Sequence, residues 1–249
     1  MIKVPGGNEG GMQAQRVLGE SLRLLFRNFG TLFVLALAPA LLIEAVFVAV
    51  APGSSDAVPP EFGGGFLVAT IVSAVAGQLV VALITLASVD ALSGRERRLD
   101  AYFSIALGHL VPIVLVGVML SVLAGLAAMV FVLPGIYVYA MFFVWLPCIL
   151  YEGRGIGALA RAQELTRGHR WPLIGAIASL ILIFVGMIIL LGPIWAAMSE
   201  SGAAVIASAL SGVLSAFSYA IVGTFGALVY LRLRFLEDGT SPEQVADAI

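Results

Sequence analysis

The thirteen Lys and Arg residues of this chain fall into four clusters separated by long apolar stretches. Lys3, Arg16, Arg23 and Arg27 make the first cluster, and Arg95, Arg97 and Arg98 the second. Arg154, Arg161, Arg167 and Arg170 make the third, and Arg232 and Arg234 the last. Each intervening stretch has length for two bilayer crossings. Short loops kept in the cytoplasm hold Lys and Arg, whereas translocated loops lack them. The pattern predicts an all-α, polytopic membrane bundle: six transmembrane helices as three hairpins, with both termini inside.

Composition closes off the soluble alternative. The chain is 61% apolar and 11% charged, with mean hydropathy +1.07. A soluble domain carries about 25% charged residues, so lipid must solvate much of this surface. With a net charge of −2 there is no basic excess suited to nucleic acid. A single cysteine, Cys148, excludes an intramolecular disulfide and a Cys-based metal site. Residues 1–30 contain no apolar core of a signal peptide.

Three segments are expected: a disordered N-terminus over 1–11, one six-helix membrane domain over 12–236, and a short, acidic, solvated tail over 237–249. The crossings are predicted at 31–51, 66–89, 111–132, 136–151, 173–191 and 203–231. A loop over 52–65 carries Asp56 and Glu61 and no cation. Amphipathic helices over 12–29, 100–108 and 155–167 precede the odd-numbered crossings. In the first, Val17, Leu18, Leu22, Leu25, Phe26 and Phe29 share a face opposite Arg16, Glu20, Arg23 and Arg27. Such a helix lies in the interface with its Arg residues at the headgroups, or packs on the protein itself. The headgroup contacts expected at the cytoplasmic face are Arg16, Arg23, Arg27, Arg161, Arg167, Arg170 and Trp171.

The unit of amphipathic helix, crossing out and crossing in recurs three times. Gly108-His109-Leu110-Val111-Pro112 and Gly168-His169-Arg170-Trp171-Pro172 both read G-H-x-x-P at the start of an odd-numbered crossing. Asn28 to Leu32 holds that junction in the first unit. A parallel threefold pseudo-repeat follows. Both histidines of the chain sit at these junctions, but no Cys, Asp or Glu gives them a metal-ligand spacing. No metal and no other cofactor is expected.

Glu44 is the one ionisable residue well inside a crossing, about 20 Å past Thr31 at 1.5 Å per residue. A carboxylate there costs on the order of 2.5–3.5 kcal/mol to insert, so it must face the bundle interior. Its readings are a proton or cation site, or a neutral acid hydrogen-bonded inside the bundle with Gln78 as partner. Crossing four is short, and Pro147 predicts a kink in it. Asp90 and Glu152, where inward crossings end, and Glu164, three residues after Arg161, are expected to tie the cytoplasmic helices to the bundle mouth. Ser208, Gly212, Ala216 and Ala220 form a small-residue stripe that serves internal packing or a homo-oligomer.

Residues 133–171 carry a specific resemblance. Leu133-Pro134-Gly135-Ile136-Tyr137 makes a turn, followed by Pro147, Glu152-Gly153, Ala158, Leu165, Thr166, Gly168 and Trp171. This order is similar to the membrane domain of bacterial glycerophosphoryl diester phosphodiesterases and to related stand-alone inner-membrane proteins. The stretch from Leu231 to Asp238, a basic helix end and then acids, matches their closing signature. The resemblance gives Pro134, Gly135, Pro147, Glu152 and Gly168 structural roles. It implies a membrane module without hydrolytic residues, since the separate barrel that holds them needs about 250 residues.

No nucleophile–base set, phosphate loop or paired carboxylates stand out. The expectation is therefore a non-catalytic multi-pass protein of the cell inner membrane, a scaffold or interaction module linked to lipid or envelope processes. Its partners would be membrane lipids and a protein at the cytoplasmic face. The rival readings are a small transporter or channel using Glu44, and an intramembrane lipid enzyme using Glu152, Glu164 and the histidines.

Overall fold

The computed structural model describes residues 14–50, 64–96, 98–130 and 132–247. The expected disorder over 1–11, the loop with Asp56 and Glu61, Lys3 and Arg97 lie outside them, as does the Arg16 side chain. Every regular element described is helical. In order these are α1 (Ala14–Arg27), α2 (Phe29–Val50), α3 (Gly64–Ser93), α4 (Leu99–Gly108), α5 (Leu110–Val130) and α6 (Val132–Phe142). There follow α7 (Trp145–Glu152), α8 (Ala158–Leu165), α9 (Arg170–Glu200), α10 (Ala204–Asp238) and α11 (Pro242–Ala246). Five spans are long and apolar enough to cross a bilayer, and six if the bent pair α1–α2 counts as one. The chain is a multi-pass membrane protein.

At the centre α10 packs against α2 and α3. Small residues set these distances. A Cβ on Gly223 would lie 2.7 Å from Ile84 Cγ2, and one on Gly212 would lie 2.6 Å from Leu41 Cδ2. Ala216 and Ala220 are fully buried. The small-residue stripe of α10 is thus occupied within the chain.

Ion pairs gather Arg95, Arg161, Arg232 and Arg234 around the end of α10 and the tail that follows it. Arg232 lies 3.7 Å from Glu20 and ties α1 to α10. Arg95, just past α3, pairs with Asp247 and donates to the Ala246 carbonyl (2.6 Å). Past the end of α10 the tail forms a short helix that packs back against α3. A Ser241–Gln244 capping box starts α11, Ser93 Oγ donates to the Pro242 carbonyl (3.0 Å), and Val245 and Ala246 are buried.

Each amphipathic helix ends in an elbow of one construction. Asn28, His109 and His169 stand at the elbows, and their carbonyls accept from Leu32, Ile113 and Leu173. The three donors, Leu32, Ile113 and Leu173, are all fully buried. Asn28 Nδ2 and His109 Nδ1 each reach the carbonyl four residues back, at 3.1 and 2.9 Å. Gly168 sits at φ +85°, the left-handed conformation, in the turn between α8 and α9. The histidines are elbow residues.

Two elements add detail to the sequence expectations. α1 packs on α10 and α9 through Ser21, Leu24 and Leu25, leaving Phe26 62% exposed beside exposed Arg23 and Arg27. The buried stripe is turned from the one the apolar residues outline, because Ser21 is small enough for close approach to a neighbour. The second concerns crossing four. It is interrupted at Phe143–Val144, four residues before Pro147. The Pro147 ring excludes the carbonyl four positions back and offers it no N–H, so the break falls there and not at Pro147.

Candidate functional site

Three polar regions stand out along the bundle. The first is the charged end, built on Glu152 at the C-terminus of α7. Its side chain is 9% exposed and gathers donors from three directions. Arg234 Nη1 of α10 donates at 2.7 Å, Arg161 Nε of α8 at 3.1 Å and Tyr230 Oη at 3.2 Å. Arg154 Nε lies 3.1 Å away. Asp238 closes the network, pairing with Arg161 and lying 2.9 Å from Arg234 Nε. Glu164 flanks Arg161 on the exposed side. Burial alone would pull the Arg161 guanidinium down, but Glu152 and Asp238 outweigh it and hold its pKa above the usual value. Arg161 is therefore consumed in this network and is not open to a headgroup.

A second buried acid extends this layer. Asp90, near the end of α3, accepts from Tyr102 Oη of α4 at 2.7 Å, and both residues are buried. Burial first, and then the Asp90 carboxylate, push the Tyr102 hydroxyl up to about 12, so it stays a donor throughout the physiological range. Tyr151 of α7 stacks on Tyr230 with ring centroids 5.9 Å apart. In this way α1, α4 and α8 are each tied to the charged end of another helix: Glu20 to Arg232 of α10, Tyr102 to Asp90 of α3, and Arg161 to Glu152 of α7.

The second region is a cleft of about 590 Å³ between α6, α8 and the start of α9. Gln163, Glu164, Arg167, Arg170, Tyr137 and Trp171 line it. Arg170 Nη1 donates to Tyr137 Oη at 2.7 Å, and its guanidinium lies 5.7 Å from the Tyr137 ring centroid. Trp171 is 78% exposed, and Arg167 is exposed. Of the sequence-predicted headgroup contacts, the structure brings Arg167, Arg170 and Trp171 together here. It leaves Arg23 and Arg27 apart from them on α1.

The third region is a chamber of about 400 Å³ inside the bundle. α3, α5, the broken α6–α7 pair, α9 and α10 wall it. Gln78, Ser73, Ser121, Ser218, Tyr139 and Tyr219 supply polar atoms, and Phe143, Trp145, Pro147 and Phe184 supply apolar walls. Irregular backbone within a membrane is tolerated where it borders such a space, and the Phe143–Val144 break does so. A second cavity, about 380 Å³ between α9 and α10, shares Phe184, Ser218 and Tyr219 with it.

The predicted pair of Glu44 and Gln78 does not form. Glu44 Oε1 accepts from Ser215 Oγ of α10 at 3.3 Å, while Gln78 borders the chamber near Gly117 and Trp145. Sequence reasoning missed the chamber. Its signal was small and polar residues recurring in crossings of otherwise high hydropathy: Ser73, Gly77 and Gln78, Gly117 and Ser121, and Gly226. Among the described residues no group of His, Cys, Asp and Glu is placed to hold a metal. No family model matches the chain, and neither does any curated protein or solved structure.

Proposed function

We propose that this protein is a non-catalytic interaction module of the cell inner membrane. In this reading six crossings form three hairpins, both termini are cytoplasmic, and the charged end faces the cytoplasm. The resemblance of residues 133–171 to the phosphodiesterase membrane domain belongs to the same proposal. The cytoplasmic face holds anionic lipid headgroups, with a protein partner as a further occupant.

The cleft of Arg167, Arg170, Tyr137 and Trp171 carries this reading. Two guanidiniums at one mouth favour a phosphate, and an exposed Trp at a helix start suits the headgroup level. Arg170 is already oriented by Tyr137, which lowers the entropy lost on binding. Native mass spectrometry of the protein released gently from its own membrane tests it. Wild-type protein is expected to retain phosphatidylglycerol or cardiolipin, and the Arg167→Gln/Arg170→Gln variant to lose most of it. Equal retention by both would overturn the cleft as a headgroup site.

A second reading, a small transporter or channel, has one observation in its favour. Glu44 lies within a predicted crossing and is bonded to Ser215, which borders the cavity between α9 and α10. Flux into proteoliposomes that Glu44→Gln abolishes would favour it over the module.

A further inference from the structure

We propose that the chamber binds an uncharged small molecule that carries hydrogen-bonding groups on an apolar frame. Its lining contains no Asp, Glu, Lys, Arg or His. An ion placed there would lose its water and gain no counter-charge, a penalty of several kcal/mol. A purely apolar occupant fits no better: Thr85, Ser121 and Ser218 donate to carbonyls of their own helices, but Ser73 Oγ would stay unpaired. Ser73 Oγ is buried and makes no hydrogen bond. The occupant must therefore be neutral and must donate or accept hydrogen bonds. Its size follows from the volume of about 400 Å³, which equals roughly a dozen waters or one small ligand.

Along α3 the chamber reaches from Thr85, about 12 Å from Ser93, to Ser73, about 30 Å away. Toward the charged end Pro147 and Gly226 border it, and one helical turn further on from each lie Tyr151 and Tyr230. These two rings stack, and Tyr230 Oη donates to Glu152. In the opposite direction the cavity between α9 and α10 continues from Phe184, Ser218 and Tyr219. A Cβ on Gly226 would meet nothing within 4 Å, so a glycine keeps part of this space open. This inference needs nothing from the lipid cleft at the charged end and does not require flux.

Trp145 borders the chamber and reports on it. With Trp171→Phe and Trp195→Phe it is the one tryptophan left, since the chain has three. The full chain in mild detergent is titrated with acrylamide, a neutral amide, and with iodide. Acrylamide is expected to quench Trp145 strongly and iodide hardly at all. Gly226→Leu, which fills the space, should abolish most of the acrylamide quenching. Gly226→Ala gives a milder version of the same test should the larger side chain unfold the protein. Weak quenching by acrylamide, or quenching unchanged by both Gly226 variants, would overturn the proposal. So would iodide quenching equal to acrylamide, which means an open crevice without charge selection. Dominant quenching by brominated phospholipid would overturn it too, since an acyl chain would then be the occupant.

Discussion

The charged end and the chamber are both polar regions inside an apolar bundle, yet they are built on opposite terms. At the charged end every strong group has a partner. Glu152 takes hydrogen bonds from Arg161, Arg234 and Tyr230, and Asp238 faces the same two arginines. The chamber holds no charge, and its Ser73 hydroxyl has no partner. Buried polar groups that satisfy one another fix a geometry. Polar groups left open around a space are available to something else. The difference separates the part that orders the helices from the part that can receive a ligand.

Removing Glu152 should break this contrast most sharply. Glu152→Ala would leave Arg161 and Arg234, both mostly buried, with Asp238 as the one acceptor they share, and losing one partner of a buried pair costs about 3–5 kcal/mol. A large fall in the thermal midpoint in detergent is expected. Replacing Glu152, Arg161, Arg234 and Asp238 together with apolar residues of similar volume should recover most of it, because no buried charge of the network is then left uncompensated. If Glu152→Ala melts like wild type, the network is ornament and the comparison fails.

Tyr102→Phe probes the outer edge of the same layer. It removes the donor to buried Asp90, and a hydrogen bond to a charged group is worth about 1.5–3 kcal/mol. The pH dependence has a definite sign. Tyr102 titrates at about 12 in the fold against an ordinary 10.0, so folding favours its protonated form. That stabilisation is fully present below pH 10 and is lost as pH rises through about 12. The gap in melting temperature between wild type and Tyr102→Phe should thus hold steady near neutrality and narrow above pH 10. A gap that stays constant through that range would show that the hydroxyl proton is not what matters.

The two regions were also unequally legible in the sequence. The charged end was readable because lipid allows so few places for a cation. Arg95, Arg161, Arg232 and Arg234 had to fall on one side, and Glu152 at the end of an apolar run meets two of them, Arg161 and Arg234. Pro147 announced a broken helix by its missing N–H, although the break lies one turn earlier. The chamber depends on which helices are neighbours, and periodicity does not encode that. Gln78 and Glu44 read as a pair because both are polar in apolar runs, yet α10 brings Ser215 to Glu44 while Gln78 turns toward α5. For α1, apolar periodicity pointed at Phe26, whereas the helix packs through small Ser21.

The smallest expected effect tests the chamber side of the comparison. An ordinary buried serine loses hydrogen bonds when replaced by alanine and destabilises the fold. Ser73 has no hydrogen bond to lose. Its hydroxyl is desolvated without compensation, so Ser73→Ala should leave stability unchanged or raise it by up to about 1 kcal/mol. The same substitution should weaken an occupant that bonds to Ser73, so its effects on stability and on binding should have opposite signs. Thermal melts in neutral detergent, with and without added acrylamide, measure both. A clear loss of stability in the absence of any added molecule would mean that Ser73 already has a permanent partner. The chamber would then belong with the charged end, as one more self-satisfied piece of the scaffold.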